Sequence, residues 1–284
     1  MSERDLAGRT FLITGANTGI GAATARALAG RGGRVWLACR SEEKTRPVLD
    51  GIRASGGDAQ FLAIDLADLK DVRRAAADFL ARGEPLHVLV NNAGLAGLRE
   101  TTKDGFEVTF GVNHLGHFLL TNLLLPRLRE SKPARIVNVS SVANYQAKGI
   151  DFAALRKPTA TRTGLREYAV SKLCNVLFTK ELARGRAGDG VHSYALHPGA
   201  VASDVWRQVP WPIRSLIKLF MLTNEEGALT SIHCAASPEA AAENGLYYEK
   251  SKPKKPNPLA EDESLARQLW ETSESFIRET APSP

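Results

Sequence analysis

Short, nearly continuous apolar runs recur along this chain, separated by longer stretches whose apolar positions return every three or four residues. The runs Thr10–Thr14, Arg34–Ala38, Gln60–Ile64, Val88–Asn91, Arg135–Val139, Ser193–Leu196 and Leu246–Tyr248 predict strands. The intervening stretches Ala22–Gly30, Asp71–Arg82, Gly105–Arg129 and Glu167–Arg184 predict helices. Apolar strands alternating with amphipathic helices form a parallel sheet covered on both faces. The expectation is an α/β chain: a single-domain, Rossmann-type, doubly wound parallel sheet of about seven strands with helices on both faces. Near its end, Leu265, Leu269, Trp270 and Phe276 stand close to helical spacing, which predicts a packed terminal helix over Glu261–Thr280. No repeat or low-complexity linker divides the sequence, so residues 1–284 are read as one domain.

Composition narrows the classes. A hydrophobic content of 43% in 284 residues fills a core of this size. Cys39, Cys174 and Cys234 lie far apart without ligand spacing, which argues against a disulfide framework or a metal site and for a cytoplasmic location. The start, Met1 to Asp5, is charged and precedes no apolar region long enough for a signal peptide. The apolar stretch Phe118–Leu125 is broken by Thr121 and Asn122 and falls short of the ~20 residues that span a bilayer. No transmembrane segment is expected. A formal charge of +6 suits an anionic ligand. The basic residues are scattered without a nucleic-acid motif, so nucleic acid is not an expected partner. The one local charge run, Glu249–Pro258, alternates lysines with prolines and predicts an exposed loop.

Candidate chemistry begins at Thr14-Gly15-Ala16-Asn17-Thr18-Gly19-Ile20-Gly21, between the first strand and the first helix. In that context glycines permit a tight turn, let backbone N–H groups approach a pyrophosphate, and leave a helix N-terminus facing it. Further on, Tyr168 and Lys172 are four apart in a helical stretch and share a face. A nearby ammonium favours the phenolate and is expected to lower the tyrosine's pKa. His114 and His117 have metal-like spacing but no third ligand, so they are read as structural histidines.

The glycine spacing, Gly-x3-Gly-x-Gly, resembles the short-chain dehydrogenase/reductase family, and three further segments fit in order. They are Asn91-Asn92-Ala93-Gly94, then Asn113, then Ser141 with Tyr168-Ala169-Val170-Ser171-Lys172. The resemblance implies a nicotinamide-dependent oxidoreductase of one dinucleotide-binding and catalytic domain. Tyr168 would be general acid in reduction and base in oxidation, and Lys172 would also hold the nicotinamide ribose. Ser141 would bond the substrate carbonyl, with Ser140 as its competitor, since successive strand residues face opposite ways. Asn113 would support a proton relay through water to Lys172.

Cofactor contacts follow from the same resemblance: Gly15, Asn17, Thr18, Gly19, Ile20 and Gly21 at the pyrophosphate, with Asp65, Leu66 and Asn91 on the adenosine side. Ala93 and Gly94 would line the cofactor, and Pro198, Gly199, Val201 and Ser203 would close on the carboxamide. Arg40 ends the second strand, where NAD enzymes use an acid and NADP enzymes a base, so NADP(H) is expected. Glu42 and Glu43 follow Ser41 and read as first-turn acids of the next helix.

Several stretches, among them Ala38-Cys39-Arg40, Asp104-Gly105-Phe106-Glu107 and Val112-Asn113-His114-Leu115-Gly116-His117-Phe118, resemble the NADP-preferring, membrane-anchored retinol dehydrogenases. That group's hydrophobic N-terminal anchor is not expected here. The implied reaction interconverts a small hydrophobic alcohol and its carbonyl. Reduction of a carbon–carbon double bond stays open as an alternative. A non-catalytic NADP sensor would be expected to lose Tyr168 or Lys172. The segments near 149–163 and 203–222 are expected to be substrate loops, with 250–284 as a tail. In Val209–Leu222 an apolar lid would turn Arg214 and Lys218 to water or a membrane surface. The sequence leaves room for a homo-oligomer.

Overall fold

Along the first strand, Leu12 packs into one apolar cluster while Phe11 and Ile13 pack into another, so the strand separates two cores. Side chains alternate across a sheet, and both faces here are covered. The computed structural model describes residues 4–199 and 222–280. The strands are β1 (Thr10–Thr14), β2 (Arg34–Cys39), β3 (Asp58–Ala63), β4 (Val88–Asn91), β5 (Ala134–Val139), β6 (Val191–His197), β7 (Leu246–Glu249) and β8 (Lys252–Pro253). Their order is β3-β2-β1-β4-β5-β6-β7-β8. All neighbours are parallel except β7 and β8. The helices that matter below are α1 (Gly19–Gly30), α2 (Glu42–Ala54), α3 (Leu69–Leu80), α4 (Gly116–Glu130), α5 (Leu165–Glu181), α6 (Asn224–Ala236) and α7 (Glu263–Glu279).

Strand order reverses between β1 and β4, and the crevice at the carboxyl ends of such strands is where open α/β sheets bind ligands. β3 begins two residues before the expected start because Asp58 pairs in register with Arg34 and their side chains form an ion pair at 2.6 Å. The helix expected over 105–129 is divided. Gly105, at φ 80°, stands in a turn, and the Glu107 carboxylate caps the short helix Val108–Phe110 at the Phe110 N–H (2.7 Å). A π-helical turn, Gly111–Leu115, then carries Asn113 before α4 starts.

The charge run after β7 is not a free loop. Lys250 and Ser251, at φ 51° and 58°, make the turn of a hairpin onto β8, and Asn257 beyond it is buried. The terminal helix α7 matches its expected place, burying Ala266, Leu269, Trp270 and Phe276. Trp270 packs on Phe118 of α4 and Phe178 of α5 at centroid distances of 4.9 and 5.7 Å. Residues 149–163 are tied down from beneath. The Leu155 carbonyl accepts from the Glu107 N–H at 2.8 Å, the Thr159 hydroxyl donates to the Glu107 carboxylate, and Arg156 stacks on Phe106 and Phe276. Val201, Ser203 and the expected lid, apart from Leu222, lie outside the described residues.

Candidate active site

A cavity of about 600 Å³ opens at the carboxyl ends of the strands. Its floor is the loop between β1 and α1, where close packing admits only glycine at two points. A Cβ on Gly21 would stand 2.4 Å from the Gly15 carbonyl oxygen and 2.5 Å from Asn92 Nδ2. Gly15 has φ 66°, and its Cβ would meet Ala93 at 2.9 Å. These contacts hold the loop flat against the segment after β4, so Asn17, Thr18, Gly19 and Ile20 face the cavity with the N-terminus of α1 behind them. A helix N-terminus with free backbone donors beside a glycine turn suits a pyrophosphate. A Cβ on Gly94 would come 3.4 Å from both Lys172 Nζ and Asn113 Oδ1, so glycine there keeps the approach to Lys172 open.

Along the rim, Arg40 leaves the end of β2, and Asp65 and Leu66 follow β3; all three line the cavity with Ala93, Pro198 and Gly199. Ser41 caps α2 by accepting from the Lys44 N–H at 3.3 Å, and Glu42 pairs with Arg46 one turn on. The two acids therefore belong to the first turn of α2, and Arg40 is the charge at the end of β2.

On the opposite wall, Ser141, Tyr168 and Lys172 come together. Lys172 is almost wholly buried, and its Nζ donates to the Val139 carbonyl at 2.9 Å, which fixes the ammonium beneath the end of β5. Burial brings its pKa down to about 8. Burial pushes the Tyr168 phenol above its ordinary value, partly offset by a hydrogen bond with Ser141. The expected lowering of the phenol pKa by the ammonium is not seen: desolvation raises it, and the lowering cause is the hydrogen bond with Ser141. Lys172 Nζ lies 5.6 Å from the centre of the Tyr168 ring. Ser140 also lines the cavity, but its hydroxyl is committed, donating to the Lys172 carbonyl at 2.7 Å. The Ser141 hydroxyl accepts from the Ala143 N–H at 3.2 Å and adjoins Tyr168.

Two expected site residues are placed elsewhere. Asn91 is buried, and its amide donates to Asn138 Oδ1 (2.8 Å) and Thr121 Oγ1 (3.0 Å), bracing β4 against β5 and α4. Its neighbour Asn92 takes the cavity position, because adjacent residues at a strand end point to opposite sides. Asn113 does not line the cavity. Its amide clamps both backbone groups of Leu95 (2.9 and 3.0 Å) and donates to Ser171 Oγ (3.0 Å), which in turn donates to the Tyr168 carbonyl at 2.8 Å. Residues 149–163 likewise contribute nothing to the cavity wall, since Glu107 and α7 hold them against the core.

His117, one turn after Asn113, completes the support. Its Nδ1 lies 3.1 Å from the Asn113 carbonyl, which only accepts, so Nδ1 carries the hydrogen. Nε2 then accepts from the Thr14 hydroxyl at 2.8 Å, whose oxygen accepts from the N–H groups of Asn92 and Ala93 at 2.9 and 3.0 Å. Burial keeps this imidazole neutral, with a pKa of about 4. His114 is buried among Phe110, Phe118 and Phe178 and bonds Ser273, with a pKa of about 3. No cluster of metal-ligating side chains occurs among the described residues.

The chain belongs to the short chain dehydrogenase family, whose pattern matches residues 9–211. It is 45% identical to human retinol dehydrogenase 11 over 278 residues, covering 96% of this chain and 86% of that protein. The fold is similar to a crystal structure of an uncharacterized Mycobacterium paratuberculosis protein: TM-score 0.77, 34% identity, covering 96% of this chain and 94% of that one. It is also similar to a Pseudomonas aeruginosa RhlG/NADP active-site complex: TM-score 0.70, 27% identity, covering 87% and 96% of the two chains. This chain is thus a retinol dehydrogenase-like oxidoreductase acting on CH–OH groups. No described helix is long and apolar enough to cross a membrane.

Proposed function

We propose that this protein interconverts a hydrophobic alcohol and its aldehyde or ketone with NADP(H) as hydride carrier. The observation that carries the reading is the convergence of Ser141, Tyr168 and Lys172 on one wall of a cavity whose floor is the glycine loop and whose rim carries Arg40. The bound nicotinamide would supply or accept the hydride. Ser141 donates its hydroxyl hydrogen to the substrate oxygen and orients the carbonyl. Tyr168, kept protonated by burial, donates its phenolic proton as negative charge develops on that oxygen. Lys172, held at the Val139 carbonyl, stabilises the phenolate that remains, and its other N–H donors would hold the cofactor ribose. In oxidation the phenolate takes the proton back. Asn113 acts as a positioning residue, joining the Gly94–Leu95 segment to the helix of Tyr168.

NADP(H) is favoured over NAD(H) because the charge ending β2 is Arg40, with Glu42 and Glu43 lying in the first turn of α2. The NADP complex of the Pseudomonas relative agrees. Leu95, Leu98 and Val142 give the cavity apolar wall. Val142, next to Ser141, lines the cavity and is 49% exposed, which favours an apolar substrate at the mouth. The three cysteines are free and buried, in keeping with a reducing cytoplasm.

The test is a straight-chain aldehyde series of rising length with NADPH and with NADH. The expected result is a kcat/KM that rises with length by up to about fourfold per methylene, from ~0.8 kcal/mol for each buried CH₂. A flat or falling series would contradict the apolar substrate class.

A further inference from the structure

Ser141 opens the short helical turn Val142–Gln146, and that turn is held by residues more than a hundred positions downstream. Asn144 Nδ2 donates to the Ser141 carbonyl at 2.7 Å and to the Tyr247 hydroxyl at 3.2 Å. Its Oδ1 accepts from the Asn257 N–H at 3.1 Å. Asn257 Nδ2 answers by donating to the carbonyls of Asn144 (2.7 Å) and Ala147 (2.9 Å), so its amide ties the middle of the turn to its C-terminal end. Both asparagines are buried. A second strap runs from the Tyr145 hydroxyl to the Lys255 carbonyl, with the Tyr145 ring edge-on to Tyr247 at 6.2 Å.

The same turn supplies the Ala143 N–H that the Ser141 hydroxyl accepts from, and that hydroxyl adjoins Tyr168. Displacing the turn would move the donor that sets the Ser141 rotamer. Anchoring of the C-terminal region does not depend on these bonds, because α7 docks through Leu269, Trp270 and Phe276.

We propose that Asn257, acting through Asn144, is a positioning residue for Ser141, so that the segment after β8 completes the active site. The proposal rests on Ser141 binding the substrate oxygen. Asn257→Ser separates positioning from anchoring, because serine can still cap the following turn at the Leu259 N–H while losing both amide donors. Decanal reduction by NADPH would be measured for Asn257→Ser, Ser141→Ala and the double variant, with NADPH affinity by fluorescence titration. Asn257→Ser should lower kcat about tenfold, as small misplacements of a catalytic group do. It should leave NADPH affinity unchanged and cost nothing further in the Ser141→Ala background. An equal loss in both backgrounds, or no loss in the single variant, would overturn the proposal while leaving Ser141 in its role. A fully active Ser141→Ala enzyme would remove the reading of Ser141 and the proposal with it. The same comparison with Asn257→Thr, which also keeps a hydroxyl to cap the Leu259 N–H and lacks the amide donors, guards against a misfolded first variant.

Discussion

The Ser140 hydroxyl donates to the Lys172 carbonyl at 2.7 Å, and Lys172 Nζ returns to the Val139 carbonyl at 2.9 Å. Two bonds in opposite directions thus lock the end of β5 to the helix that carries Tyr168. Ser141, the next residue, is left to face the cavity with its neighbour already committed. The pair also explains why Lys172 can be buried: its charge rests on a backbone dipole, and burial lowers its pKa to about 8.

That value sets a pH dependence with opposite signs for activity and stability. Reduction should lose kcat/KM for NADPH as pH rises through about 8, because Lys172 loses its ammonium in the free enzyme. Between that value and the ordinary 10.5 the unfolded chain binds a proton that the folded chain does not, so this group makes stability rise with pH over the same window. Steady-state rates and thermal unfolding across that range check both. An activity profile flat as pH rises through about 8 and on to 10.5 would show that the charge is not used.

Cofactor choice is expected to follow Arg40. A charge-assisted contact to the 2′-phosphate contributes about 1.5–3 kcal/mol, so NADPH should be preferred over NADH by roughly tenfold to a hundredfold. Arg40→Ala should remove most of that preference and leave NADH kinetics unchanged. Comparing kcat/KM for both cofactors checks it, and equal use by the unaltered enzyme would count against the assignment.

How much of this was legible in the sequence depends on how local each determinant is. The glycine loop and the Tyr168/Lys172 pair are set within a turn or two, and both stand where spacing placed them. Asn91 was misplaced because one step along a strand reverses the face, and only the bonds to Thr121 and Asn138 decide which asparagine turns inward. His117 had a readable signal in its spacing of one helical turn from Asn113, but its partner Thr14 lies 103 residues away. Asn257 was hidden inside a lysine and proline run that composition marks as solvent-exposed. Its role comes from a hairpin that folds the run back onto Asn144, 113 residues earlier. Residues 149–163, expected as a substrate loop, do not line the cavity, and Thr159 among them bonds the buried carboxylate of Glu107, a partner far away in sequence.

The most direct test is Tyr168→Phe, with NADPH titration beside steady-state carbonyl reduction. The ring still fills its place and the phenolic proton is gone. NADPH affinity should stay near that of the unaltered enzyme while kcat falls by about 10²–10⁴-fold, the usual worth of a positioned general acid. Turnover close to that of the unaltered enzyme would contradict Tyr168 as the proton donor.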